Sequence, residues 1–148
     1  MLIQSFESCK LKAYPDPKTG GAPWTVGWGA TGGNIGPSTV WTQDQADSRF
    51  ETDLEEYEEQ VVRAVKKPMT QGQFDAFVSI FFNVGFGSSG RDGIGRLKNG
   101  RSSTLLAKFN DGDIAGTCVQ WLLWISPGSS VTNGLLRRRK AELALFKS

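Results

Sequence analysis

Residues 6–32 read FESCKLKAYPDPKTGGAPWTVGWGATG, and the reading of this stretch decides how the rest of the chain is understood. Just upstream, Leu2, Ile3 and Phe6 make a short apolar run that fits a helix over residues 2–8, with the acid Glu7 at its end. A second acid, Asp16, follows Pro15 in a loop rich in Pro, Gly and Thr. Thr25 then opens the segment WTVGWG, where bulky and small residues alternate as they would along a strand lining a cleft. Two carboxylates on neighbouring elements with a hydroxyl on a third suit hydrolysis of a glycosidic bond. One carboxyl group donates a proton to the leaving oxygen while the other group holds or activates water on the opposite face of the sugar. Taken as residue types alone, Asp, Glu and Thr are common in every soluble domain, and a structural role is the ordinary reading.

Outward from this stretch, residues 15–37 are dense in turn formers and suit small antiparallel strands. Thr42 and Gln45 form a capping-box pattern. Ala46, Phe50, Leu54, Tyr57, Val61 and Val65 then recur at spacings of three and four, which predicts an amphipathic helix over about residues 43–66 ended by Pro68. Its acidic run, Glu51 to Glu59, is expected to be a solvated face. Thr70 and Gln73 repeat the capping pattern ahead of a helix that is apolar nearly all round from Phe74 to Val84, which predicts burial at a core, with Gly85 as its terminator. After a Gly- and Ser-rich loop over residues 85–95, three shorter helices are predicted: residues 103–109, then Asp113 through Ile125, then 135–146.

Composition narrows the chemistry. The 148 residues are the size of one domain, large enough to bury roughly two thirds of the unfolded surface. A net charge of +2 does not call for nucleic acid, and the basic run Arg137 to Lys140 does not change that. Histidine is absent, which removes Ser-His and Cys-His nucleophile pairs and the usual histidine metal sites, so acid–base work falls to carboxyl groups. No cofactor and no metal is expected. Cys9 and Cys118 read as two reduced, packed thiols, with redox control through Cys9 as the lesser alternative. No stretch approaches the roughly 20 apolar residues of a membrane span, and the N-terminus lacks a signal-peptide layout. Some of the five tryptophans and nine phenylalanines suit a sugar groove, although core packing is the default for any one of them.

The order Glu7, then Lys10-Leu11-Lys12-Ala13-Tyr14-Pro15-Asp16, then Thr25-Val26-Gly27-Trp28-Gly29 resembles the active-site region of the phage-type lysozymes, the muramidase endolysins of glycoside hydrolase family 24. Three later stretches match that family in the same order. They are Gln71-x-Gln73-x-Asp75-Ala76 with Phe82-Asn83-Val84-Gly85; Ser103-Thr104-Leu105-Leu106 with Phe109-Asn110-x-Gly112-Asp113, Trp121 and Trp124; and Gly134-Leu135-x-x-Arg138-Arg139 with Glu142 and Leu145-Phe146. Together the four cover nearly the whole chain.

The resemblance implies an α+β, lysozyme-like fold in a single domain over residues 1–148. A small β-lobe of about residues 12–40 and a larger, mainly helical part of about 1–11 and 41–148 would enclose the substrate cleft. It implies hydrolysis, with inversion, of the β-1,4 bond between N-acetylmuramic acid and N-acetylglucosamine. Glu7 would be the general acid, protonated in a site partly shielded from water, and Asp16 and Thr25 would hold the attacking water. The two carboxyl groups should then stand roughly 6.5–9.5 Å apart. Asn83 and Arg138 match substrate-binding positions. For Asn83 a helix-end role is the alternative, and the charge of Arg138, close to the acid in relatives, would oppose the effect of burial on Glu7. The rest of the basic run would serve solubility or attraction to an acidic wall polymer.

Several departures from the family pattern bear on the site. Ala30 stands where many relatives carry histidine, Ser8 replaces the glycine that often follows the acid, and the Asp16 to Thr25 spacing is longer than in the shortest members. The expected partner is peptidoglycan, with no nucleic acid, no membrane insertion and a monomeric state. The chain would be made in the host cytoplasm without a signal peptide and act on periplasmic peptidoglycan after release. Relatives usually have a longer lead-in before the first helix, so this N-terminus is expected to be trimmed or to belong to one module of a larger protein. A lytic transglycosylase acting on the same bond and an inactive wall-binding module are the alternatives.

Overall fold

A computed structural model describes all residues from Met1 to Ser148. In chain order the elements are α1 (Leu2–Phe6), β1 (Lys10–Tyr14), β2 (Thr25–Gly27), α2 (Gln43–Ala64), α3 (Gln71–Val84), α4 (Thr104–Asn110), α5 (Ile114–Trp121) and α6 (Thr132–Phe146). The chain divides into two units, Met1–Glu55 and Glu56–Ser148, and the division falls within α2.

In the first unit β1 and β2 pair antiparallel, with Lys10 opposite Gly27 and Tyr14 opposite Thr25. On its other side β1 meets residues 39–41: Ala13 N–H donates to the Thr39 carbonyl at 3.0 Å and Trp41 N–H to that of Leu11 at 2.8 Å. The ladder is therefore three segments wide at its centre. Ala13, Val26, Ala30 and Ile35 form its core, with Trp24 and Trp41 packed against them. The strand predicted through WTVGWG ends sooner than expected. Val26 and Ala30 exchange backbone hydrogen bonds of 3.0 and 2.9 Å across a tight turn, which folds Trp28 and Gly29 out of the ladder.

Local signals set the helix ends. At the start of α2 the Thr42 hydroxyl accepts from Gln45 N–H and the Gln45 side chain accepts from Thr42 N–H, the reciprocal pair that the sequence pattern predicts. The same box closes the start of α3 through Thr70 and Gln73. Gly85 ends α3 at φ 99°, a conformation that costs glycine little and other residues much. The C-terminal end of α2 is held from a distance. The Asn110 side chain accepts from Lys66 N–H at 2.8 Å and donates to the Ala64 carbonyl at 3.1 Å.

The second unit is built around α3. Six consecutive residues, Ala76 to Phe81, are buried, as an all-round apolar helix requires. Phe77 lies at the centre, its ring 5.0 Å from Phe109, 5.1 Å from Trp121 and 6.1 Å from Phe146, so one ring ties α3 to α4, α5 and α6. Burying a side chain of this size contributes about 2–3 kcal/mol. Gly72 lets α3 approach α6 closely, since a Cβ there would stand 2.2 Å from the Leu145 carbonyl oxygen.

Two ends in this unit differ from the sequence expectation. α5 stops at Trp121 rather than Ile125, and α6 starts at Thr132 rather than Leu135. Pro127 disfavours helical backbone at the residue before it, and Ser126 takes φ 47°. The Trp124 carbonyl is meanwhile taken by the Arg139 side chain at 2.8 Å instead of by a continuing helix.

Candidate active site

Glu7 is the residue at which α1 stops. Its N–H still bonds to the Ile3 carbonyl at 3.0 Å, but its own backbone is extended at φ −94° and ψ 145°, so the chain leaves the helix there and enters β1 three residues later. Asp16 lies two residues beyond the other end of β1. An Asx turn fixes its side chain, with Lys18 N–H donating to Oδ1 at 2.7 Å, and the loop is closed by Asp16 N–H to Gly21 O at 2.9 Å and Gly20 N–H to Asp16 O at 2.8 Å. Thr25 begins β2 directly opposite Tyr14. The pairing thus brings Asp16 and Thr25 to one end of the ladder, while Glu7 enters at the start of β1. All three side chains are half-buried.

Beside these residues lies a polar link from the β2 turn to α2. Trp28 Nε1 donates to Asp47 Oδ1 at 2.8 Å, and Gln43 Nε2 donates to the same oxygen at 2.9 Å and to Cys9 Sγ at 3.7 Å. The Trp28 bond, supported by the one from Gln43, holds the Asp47 carboxyl below its ordinary pKa. Cys9 and Cys118 are both free thiols, and Cys9 here serves as a hydrogen-bond acceptor.

Asn83 and Arg138 belong to the second unit. Asn83 occupies the last turn of α3 and is half-buried, and the helix-ending role falls to Gly85 rather than to Asn83. Its Oδ1 accepts from Arg139 Nη2. Arg138 is 3% exposed and sits within a buried ionic cluster, its Nε 3.4 Å from Glu142 Oε2. Around Glu142 gather Arg139 Nη1 at 2.5 Å, Ser79 Oγ at 2.6 Å and Trp121 Nε1 at 3.1 Å.

This cluster corrects the reading of the basic run as a solubility or wall-attraction feature. Arg137 and Lys140 are exposed, but Arg139 is fully buried and Arg138 nearly so. The signal was present in the spacing. Leu135, Arg139, Glu142, Leu143 and Phe146 recur at intervals of three and four, which puts the charges on the inward stripe of α6. Desolvation pushes the Arg139 pKa down and the adjacent Glu142 carboxylate pulls it back up. No group of three or more Asp, Glu or Cys side chains gathers where a metal could be held.

An acid delivered by a short helix into a small antiparallel ladder, followed by a helical unit around one central apolar helix, is a lysozyme-like α+β arrangement. The sequence matches the phage lysozyme family over residues 4–142, and the chain belongs to that family. Among its relatives, the endolysin of Bacillus phage PZA is 37% identical over 147 residues, covering 99% of this chain and 52% of that protein. The chain therefore spans about half the length of that relative. The endolysin of Acyrthosiphon pisum secondary endosymbiont phage 1 is 33% identical over 152 residues, covering 100% of this chain and 94% of that one. Among solved structures, the muramidase domain of SpmX from Asticaccaulis excentricus superimposes with a TM-score of 0.79 at 30% identity, covering 99% of this chain and 92% of that chain.

Proposed function

We propose that this chain is a peptidoglycan muramidase that hydrolyses the β-1,4 bond between N-acetylmuramic acid and N-acetylglucosamine with inversion. Glu7 gives its proton to the glycosidic oxygen as the bond to the anomeric carbon breaks. A water held by the Asp16 carboxylate and the Thr25 hydroxyl attacks that carbon from the opposite face and passes its proton to Asp16. Asn83 offers its amide to the sugar. Arg138, buried against Glu142, assists binding as a fixed positive charge beneath the surface. The reaction requires one chain and no metal or cofactor.

One observation supports this function: the match to the phage lysozyme family spans residues 4–142, a range that contains Glu7, Asp16 and Thr25. Peptidoglycan as substrate accords with the endolysin and muramidase names of the relatives. The chain is proposed to reach the wall after release from the host cytoplasm; no helix is long and apolar enough to cross a membrane.

The test is mass spectrometry of fragments released from purified peptidoglycan in ¹⁸O-labelled water. The wild type should yield reducing ends that carry the label, and Glu7→Gln should release them on the order of 10²–10⁴-fold more slowly. Anhydro ends without label would replace hydrolysis by intramolecular transfer, and equal rates for both proteins would end the assignment of Glu7.

A further inference from the structure

Arg139 carries no role in the chemistry above, yet its whole guanidinium group is engaged. It is 0% exposed, and each of its three nitrogens has a partner: Nε donates to the Trp124 carbonyl at 2.8 Å, Nη1 to Glu142 Oε1 at 2.5 Å, and Nη2 to Asn83 Oδ1. Glu142 is itself pinned by Ser79 Oγ and Trp121 Nε1, so the guanidinium plane has no freedom to turn. A guanidinium carries donors only. The atom of Asn83 that faces it must therefore be the carbonyl oxygen, which settles by chemistry an orientation that the shape of an amide leaves open.

We propose that Arg139 is a positioning residue that locks the Asn83 amide with its oxygen inward, so that Asn83 meets the sugar only as a hydrogen-bond donor. The matching group on the substrate is an acceptor, the carbonyl oxygen of an N-acetyl group or a hydroxyl oxygen. This rests on the role given to Asn83 above and adds the direction of the bond. Two physical effects favour it. An amide whose oxygen accepts from a cation is polarised and donates more strongly from its nitrogen. A side chain fixed when the protein folds loses little further freedom when ligand binds.

Asn83→Asp tests the direction. The substitution keeps an oxygen for Arg139 and replaces the outward NH₂ by a second oxygen. The variant should melt no lower than the wild type, because the inward bond becomes ionic, while KM rises on the order of tenfold with little change in kcat. The dissociation constant for chitotetraose, measured by calorimetry, should rise in parallel. Binding by Asn83→Asp that equals the wild type would mean that an oxygen already faced the sugar, and would overturn the proposal.

Arg139→Lys keeps the charge beside Glu142 but loses the fork. It should raise KM severalfold in the wild-type background and not at all in an Asn83→Ala background, because a residue that acts through Asn83 has nothing left to position there. Equal KM increases in both backgrounds would mark Arg139 as general scaffold and refute the inference. Unchanged binding in Asn83→Ala would also refute it, by removing Asn83 from the site, while wild-type release of labelled ends would leave the muramidase function standing. Unlabelled products, or none, from a protein whose Asn83→Asp variant still loses chitotetraose affinity would do the reverse.

Discussion

Polar side chains are used in opposite ways in the two units. In the first, Glu7, Asp16 and Thr25 are half-buried, and the end of a helix, an Asx turn and the first residue of a strand set where along the chain the three stand. In the second, Ser79, Ser103, Arg139 and Glu142 are at most 1% exposed; Ser79, Arg139 and Glu142 are placed by one another, and Ser103 by the backbone of Ile94 and Leu106. Water can replace a lost partner at the three half-buried groups and cannot at the four buried ones. Residue types alone therefore do not separate a candidate site from architecture; access to solvent does.

The sharpest way to break this contrast is at Glu142. Glu142→Gln removes the only carboxylate bonded to Arg139 and strips a buried pair of its anion, which costs about 3–5 kcal/mol of unfolding free energy, a large share of what a domain of this size possesses. Urea denaturation should show it as a fall in midpoint at constant slope. The same change of group at Glu7 should alter stability by no more than about 1 kcal/mol while removing most of the activity. If Glu142→Gln unfolded like the wild type, or Glu7→Gln like Glu142→Gln, the two kinds of site would not differ as described.

A smaller effect sharpens the contrast for hydroxyls. Ser103 Oγ donates to the Ile94 carbonyl at 2.6 Å and accepts from Leu106 N–H at 3.1 Å, joining the loop before α4 to its first turn. Ser103→Ala loses the cap and strands a buried carbonyl, at about 2–3 kcal/mol. Thr25→Ala, at an edge, should cost under about 1 kcal/mol and instead slow release of labelled ends. Thermal denaturation of both variants beside their rates checks the pair, and a Ser103→Ala protein as stable as the wild type would break it.

The same division explains what the sequence made legible. Both capping boxes, the buried run of α3 and the terminator Gly85 are local or periodic signals, and each appears where the pattern put it. The early stop of α5 was not legible, because the Trp124 carbonyl is taken by Arg139, 15 residues away. The burial of Arg139 was misread because four consecutive basic residues look like surface charge until they are laid on a helix with Glu142 and Phe146. At the candidate site Glu7, Asp16 and Thr25 could be named from family order. The Asx turn that orients Asp16, and the Arg139 contact to Asn83 across 56 residues, required coordinates.

The smallest effect lies where the two kinds of placement meet, at Asp47. Like Asp16 it belongs to the first unit, but like Glu142 it is held by other side chains, Trp28 at 2.8 Å and Gln43 at 2.9 Å. The Trp28 bond is the larger cause of its lowered pKa. A carboxyl whose folded pKa lies below its unfolded value contributes stability that is present above the unfolded value and is lost as pH falls through the folded one. The relevant window therefore lies below about pH 4, the ordinary Asp range. On acidification the Trp28 indole N–H resonance should move with a midpoint below that range, and in Asp47→Asn this step should vanish while the resonance remains near its acidic position. A midpoint at or above the ordinary value would mean that the indole bond does not favour the ionised form, and that mutual side-chain contacts set a group's charge only where water is excluded.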